Sequence, residues 1–107
     1  MITRTLQQRI EGNLFKGKAI IVIGARQVGK STLFRQITEK LEEPVLMLNC
    51  DEPEVKELLA GMNLTELKLM LGKHRVVVID EAQRVPEIGM TLKRITDNFP
   101  EVQLLVT

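Results

Sequence analysis

Tryptophan and tyrosine are absent from the sequence, and Phe15, Phe34 and Phe99 are its only aromatic residues. The core must therefore be built from Leu, Ile, Val and Met, and the stacking platforms on which single-strand nucleic-acid binders hold bases are missing. A single cysteine, Cys50, allows no internal disulfide, which fits a reducing compartment. It precedes Asp51 and Glu52, the opposite of the positive neighbours that activate a thiol. The single histidine, His74, has no second His to complete a metal site and reads as part of a solvated turn between Lys73 and Arg75. No sign of charge dominates either: 15 Lys and Arg stand against 14 Asp and Glu, a net charge of +1. Without a basic stripe, nothing here collects nucleic acid or anionic lipid at long range, and an anionic ligand must be held by local geometry. Apolar runs such as Ala19 to Ile23 are far too short to cross a bilayer, and Met1 to Leu14 lacks the apolar centre of a signal peptide. A cytoplasmic protein with no membrane contact is the expectation.

What is present is an ordinary globular composition, 44% hydrophobic and 27% charged over 107 residues, enough for one domain with a modest core. No repeat or flexible linker marks an internal boundary, so residues 1–107 are expected to form one domain. Leu6, Ile10 and Leu14, spaced by four, predict a short amphipathic helix in Thr3 to Leu14. Lys18 to Ile23 reads as a strand whose continuous apolar character predicts cover on both faces. Lys30 to Leu41 carries Leu33, Phe34, Ile37 and Leu41 on one helical face and is limited by Pro44.

Val45 to Leu48 is a second strand, followed by helical leucine spacing in Glu54 to Ala60 and Leu64 to Leu71, with Gly61 and Gly72 where C-terminal caps belong. Arg75 to Ile79 is a third strand. Pro86 is expected in the first turn of a helix carrying Ile88, Leu92 and Ile95, which Phe99 and Pro100 end, and Val102 to Val106 is a fourth strand. Strands alternating with helices imply right-handed crossovers and a parallel, three-layer α/β fold.

Two motifs carry chemistry. The first is Gly24-Ala25-Arg26-Gln27-Val28-Gly29-Lys30-Ser31, a full match to Gly-x-x-x-x-Gly-Lys-[Ser/Thr] standing between a strand and an amphipathic helix. A triphosphate needs many donors at one point, and a tight loop supplies them as backbone N–H groups at the positive end of a helix. Gly24 and Gly29 allow the curve, and Lys30 is expected on the β- and γ-phosphates. The Ser31 hydroxyl is expected on Mg²⁺ and Thr32 on the α-phosphate. Arg26, within the loop, could face the nucleotide or a neighbouring subunit. The alternative for the motif is a structural turn with a solvent-facing lysine.

The second is Val76-Val77-Val78-Ile79-Asp80-Glu81, a buried strand running into two acids. Such a strand delivers its last polar residues to the carboxyl edge of the sheet, where open α/β folds bind ligands. Asp80 is expected to hold Mg²⁺ opposite Ser31, and Glu81 to take a proton from a water in line with the γ-phosphate. An ordinary exposed acidic turn is the alternative. Asp51 also follows a strand at that edge, and Arg84 reads as a surface ion-pairing residue.

The stretches GARQVGKSTL, VVVIDEAQRVPE and LKRITDNFPEVQLLVT together resemble the AAA-type ATPases of bacteria and archaea that join an N-terminal ATPase domain to a C-terminal domain of poorly defined function. The resemblance covers the whole chain. It implies a P-loop NTPase fold with strand order 1-4-3-2 and the fifth strand absent, a lead-in helix in 1–16 and a nucleotide-binding core in 17–107. It carries Gly24, Gly29, Lys30, Ser31 and Thr32 over as nucleotide contacts, and Asp80 and Glu81 as metal and catalytic residues. Gln83 belongs to the family's acidic motif without an assigned role. Members continue with a polar sensor segment where this chain has Thr107. The expectation is therefore an N-terminal piece of a larger protein, with its C-terminal domain, and an arginine finger from a homo-oligomer, as partners.

The function these features imply is Mg²⁺-dependent ATP hydrolysis in the full-length protein, coupled to a conformational or partner event; without a finger arginine, hydrolysis by this piece alone is not expected. Two alternatives are a nucleotide-gated interaction module without catalysis and a P-loop small-molecule kinase, for which no acceptor site or lid arginine is visible.

Overall fold

Four strands lie side by side in parallel: β1 (Ile20–Ile21), β2 (Val45–Asn49), β3 (Val76–Asp80) and β4 (Gln103–Val106), ordered β1-β4-β3-β2. The computed structural model describes residues 9–12, 14–15, 19–21, 30–61 and 63–107, and in the helix opening at Lys30 it describes side chains from Phe34 onward. Among the described residues the helices of a full turn or more are α1 (Lys30–Leu41), α2 (Pro53–Leu59), α3 (Leu64–Leu71) and α4 (Ile88–Asn98), with a 3-10 turn at Ala82–Arg84. This is a mixed α/β fold of the P-loop NTPase-like kind, in the strand order that the resemblance implies.

Side chains alternate across a strand, and β3 and β4 use that alternation to build two cores. Val76, Val78 and Leu105 face Phe34 and Ile37 of α1, together with Ile10. Val77, Ile79, Leu104 and Val106 face the other way, against Leu59, Leu67, Leu71, Leu92 and Ile95 of α2, α3 and α4. Helices on both faces explain why these strands read as unbroken apolar runs. Register pairs such as Val77 with Leu104 and Val78 with Leu105 keep each face continuous across the two central strands. The flanking strands are less covered among the described residues, with Ile21 and Met47 exposed.

Local chemistry sets the helix ends. Asn63 caps α3 by accepting from the Glu66 backbone N–H at 2.8 Å, while the Glu66 carboxylate accepts from the Asn63 N–H at 3.2 Å. At the other end Gly72 adopts φ +53°, and its N–H closes onto the Lys68 carbonyl at 3.0 Å. A buried bond from the Thr91 hydroxyl to the Leu59 carbonyl, 3.0 Å long, ties α4 to the end of α2. Gln103, 1% exposed within β4, accepts from the Phe15 N–H at 2.6 Å and donates to the Leu104 carbonyl at 2.9 Å. Both ends of this buried amide are thereby satisfied.

Several boundaries differ from the sequence expectation. Pro86 does not enter the first turn of a helix: Glu87 takes left-handed backbone angles (φ 55°, ψ 34°) and α4 begins only at Ile88. The cause lies upstream, where the 3-10 turn buries Ala82 and Val85 and uses 85–87 to swing the chain onto the sheet. The strand expected at Lys18 to Ile23 is described at Ile20–Ile21; Ala19 precedes it outside the strand, and Lys18, Val22 and Ile23 lie outside the described residues. Of the helix expected at Thr3 to Leu14, residues 9–11 are helical with Ile10 buried, and residues 1–8 lie outside the description.

Candidate functional site

All four strands point the same way, so their carboxyl ends share one edge of the sheet. A helix joining two parallel strands of one sheet must run back against it, which puts the N-terminus of α1, between β1 and β2, at that same edge. Lys30 opens α1 there, with Ser31 and Thr32 next in its first turn. Gly24, Ala25, Arg26, Gln27, Val28 and Gly29 lie outside the described residues, as do the side chains of Lys30, Ser31 and Thr32.

Asp80 is the last residue of β3 and is half-buried. Its backbone carbonyl accepts from the Cys50 N–H at 2.9 Å, extending the β2–β3 ladder one step beyond Asn49, and its Oδ1 accepts from the Thr107 hydroxyl at 2.8 Å. Thr107 is held in turn: its N–H donates to the Ile79 carbonyl at 2.9 Å, and its carbonyl accepts from the Ala82 N–H at 3.0 Å. The chain immediately after β4 thus clamps the turn that follows β3.

Glu81 begins that turn with left-handed angles (φ 57°, ψ 42°). A non-glycine residue in that region carries about 1–2 kcal/mol of backbone strain, offset here by hydrogen bonds on both sides. The Glu81 carbonyl accepts from the Arg84 N–H at 3.0 Å, and its Oε2 accepts from Gln83 Nε2 at 2.5 Å. Gln83 itself is exposed.

A third carboxylate completes the edge. Asp51 follows β2 and pairs with Arg84 Nε at 3.1 Å, the surface ion pair expected of that arginine, while its N–H donates to Asn49 Oδ1 at 3.0 Å. Between these acids sits Cys50, 1% exposed. Burial first, then the charges of Asp80, Asp51 and Glu81, push its thiol from 9.0 up to about 11. The thiol is a protonated, packed group, raised mainly by its burial and further by the carboxylates around it. A site of this character suits a polyanion only together with a cation. Its oxygen donors are those a hard divalent cation prefers.

The geometry adds Thr107, Cys50 and Asp51 to the residues singled out as site residues from the sequence. Only Asp51 had a local signal, its place after a strand; Thr107 meets Asp80 across 27 positions through β-sheet register. His74 stands apart from the edge in the turn after α3, its Nδ1 3.0 Å from the Leu71 carbonyl. An open depression of about 300 Å³ beside α2 and α3, lined by Glu54, Glu57 and Glu66 among others, shares no residue with the edge.

Compared with known families, residues 16–107 match the family model described as an AAA domain. The match takes in both the glycine-rich segment and the strand ending at Asp80. Comparison with curated proteins and with solved structures finds no match.

Proposed function

The chain belongs to the AAA domain family of nucleotide-binding domains, and on that premise we propose that it binds ATP with Mg²⁺ and hydrolyses it at the carboxyl edge of the sheet. The observation that carries the proposal is the convergence there of the α1 N-terminus, opening with Lys30, Ser31 and Thr32, and the acids Asp80 and Glu81.

In this reading the N–H groups of 24–32 wrap the phosphates, aided by the positive end of α1, and Lys30 adds a point charge on the β- and γ-oxygens. Ser31 and Asp80 would hold Mg²⁺, whose charge would offset that building on the phosphate oxygens. Among the described residues no group of three or more His, Cys, Asp or Glu forms a ready-made metal cage. Thr107 orients Asp80 through its hydroxyl.

Glu81 accepts a proton from the attacking water as the water oxygen bonds to the γ-phosphorus. The bond to the β–γ bridging oxygen breaks and ADP leaves with the electron pair. Among the described residues Arg84 is paired to Asp51, and we assign the finger role to an arginine from a neighbouring copy. Turnover then drives a conformational or partner event, with a C-terminal domain as the responding element.

The test is a Mg-ATP titration followed by thermal stability, beside Lys30→Ala. Saturable stabilisation of about 2.7 kcal/mol at a hundredfold excess over Kd, absent from the variant, supports the site. Equal behaviour of the two proteins defeats it. Tight binding without turnover would favour the nucleotide-gated module, and turnover dependent on an added acceptor would favour the kinase.

A further inference from the structure

Gln83 is exposed, so its side chain contributes little to the core, yet its amide is spent on one specific contact: Nε2 donates to Glu81 Oε2 at 2.5 Å. The contact spans only two positions because the intervening backbone is tightly fixed. Glu81 is left-handed, and the 3-10 turn Ala82–Arg84 is closed by bonds from Arg84 N–H to the Glu81 carbonyl and from Val85 N–H to the Ala82 carbonyl, each 3.0 Å. Ala82 and Val85 are buried in the core, and the Ala82 N–H is bonded to the Thr107 carbonyl. The turn is anchored on both sides of Gln83, so the amide stands on a rigid base.

A glutamate side chain has three torsions, and a carboxylate that must meet a water in line with a reacting phosphorus loses effectiveness when it samples all of them. A charge-assisted bond to one carboxylate oxygen restricts those torsions, the more so because it comes from within the same short turn. We propose that Gln83 is a positioning residue, which holds the Glu81 carboxylate in the orientation from which it accepts the proton of the attacking water. The inference rests on the hydrolytic role given to Glu81 above. Gln83 takes no proton and forms no covalent bond.

The test compares single-turnover and steady-state ATP hydrolysis by the full chain with Gln83→Ala, Gln83→Glu and Gln83→Lys, alongside Glu81→Gln. Loss of the donor in Gln83→Ala should lower kcat by roughly tenfold to a hundredfold. The isosteric Gln83→Glu, which replaces the donor by a repelling carboxylate, should lose at least as much. Gln83→Lys restores a donor, one atom further out and charged, and because the charge weakens Glu81 as a base it should recover only part of the rate lost in Gln83→Ala. KM for ATP should stay at the parent value in all three, because Gln83 is not in the phosphate loop, and the melting temperature should fall by no more than a few degrees, the effect of one exposed hydrogen bond.

Adding Gln83→Ala to Glu81→Gln should cause no further loss, since the amide acts only through that carboxylate. A kcat that stays level or rises in Gln83→Ala, or losses that simply add in the double variant, would overturn the inference. If Glu81→Gln itself hydrolyses ATP at the parent rate, or the parent does not hydrolyse it at all, the function proposed above fails first and this inference with it. Loss in Glu81→Gln with normal Gln83 variants sinks the positioning role alone.

Discussion

The Thr107 hydroxyl donates to Asp80 Oδ1 at 2.8 Å, joining the residue after β4 to the last residue of β3 at the edge where the strands end. The same threonine carries two backbone bonds, to Ile79 and from Ala82, so the contact sits in a stiff frame. Thr107→Val preserves shape and removes the hydroxyl, at an expected cost of about 1 kcal/mol. Equilibrium denaturation of the two proteins should show it as a lower midpoint at unchanged slope; an unshifted midpoint would mean that the bond contributes nothing net.

Cys50 makes stability depend on pH in a defined window. Its thiol is raised from 9.0 to about 11 in the folded protein, so between those values the folded state keeps a proton that the unfolded chain releases. The folded state binds more protons there, and stability falls as pH rises. The contribution is complete below about pH 9 and is lost as pH climbs through about 11. Cys50→Ala should therefore flatten the decline in melting temperature over that range relative to the parent. Parallel curves would contradict the burial and charge assigned to the thiol.

Two leucines on α3 separate core from surface. Leu67 is fully buried, whereas Leu69 is 77% exposed. Truncating Leu67 to Ala leaves a cavity beneath the helix and should cost roughly 2–5 kcal/mol, while Leu69→Ala should change stability by no more than about 0.5 kcal/mol. Chemical denaturation of both variants checks this directly, and comparable losses would mean that the helix is rotated from the orientation described.

Much of the fold is legible because its signals are local. The unbroken apolar run ending in Asp80 announces a strand covered on both faces, and β3 proves to be one, all but its last residue fully buried. Phe34 and Ile37 announce the inner face of α1 in the same way. The Asn63-x-x-Glu66 capping pattern is equally local and marks the start of α3.

What was not legible is what folding alone decides. Pro86 suggested the start of a helix, but burial of Ala82 and Val85 holds the preceding turn and postpones α4 to Ile88. The bond from Thr107 to Asp80 depends on strand register, and that from Gln83 to Glu81 depends on a left-handed residue that no propensity favours at a glutamate. The one amide inside an apolar strand, Gln103, must find partners when buried, but which partners follows only from the approach of Phe15.

The measurement that bears most directly on the central claim is ATP hydrolysis by the parent chain and by Glu81→Gln, with Mg-ATP affinity determined for both. The variant should bind ATP within about threefold of the parent while its turnover falls by about a hundredfold or more, the usual reach of a lost general base. Equal turnover in the two proteins would contradict it, and Glu81 would then be an acid of the turn with no part in chemistry.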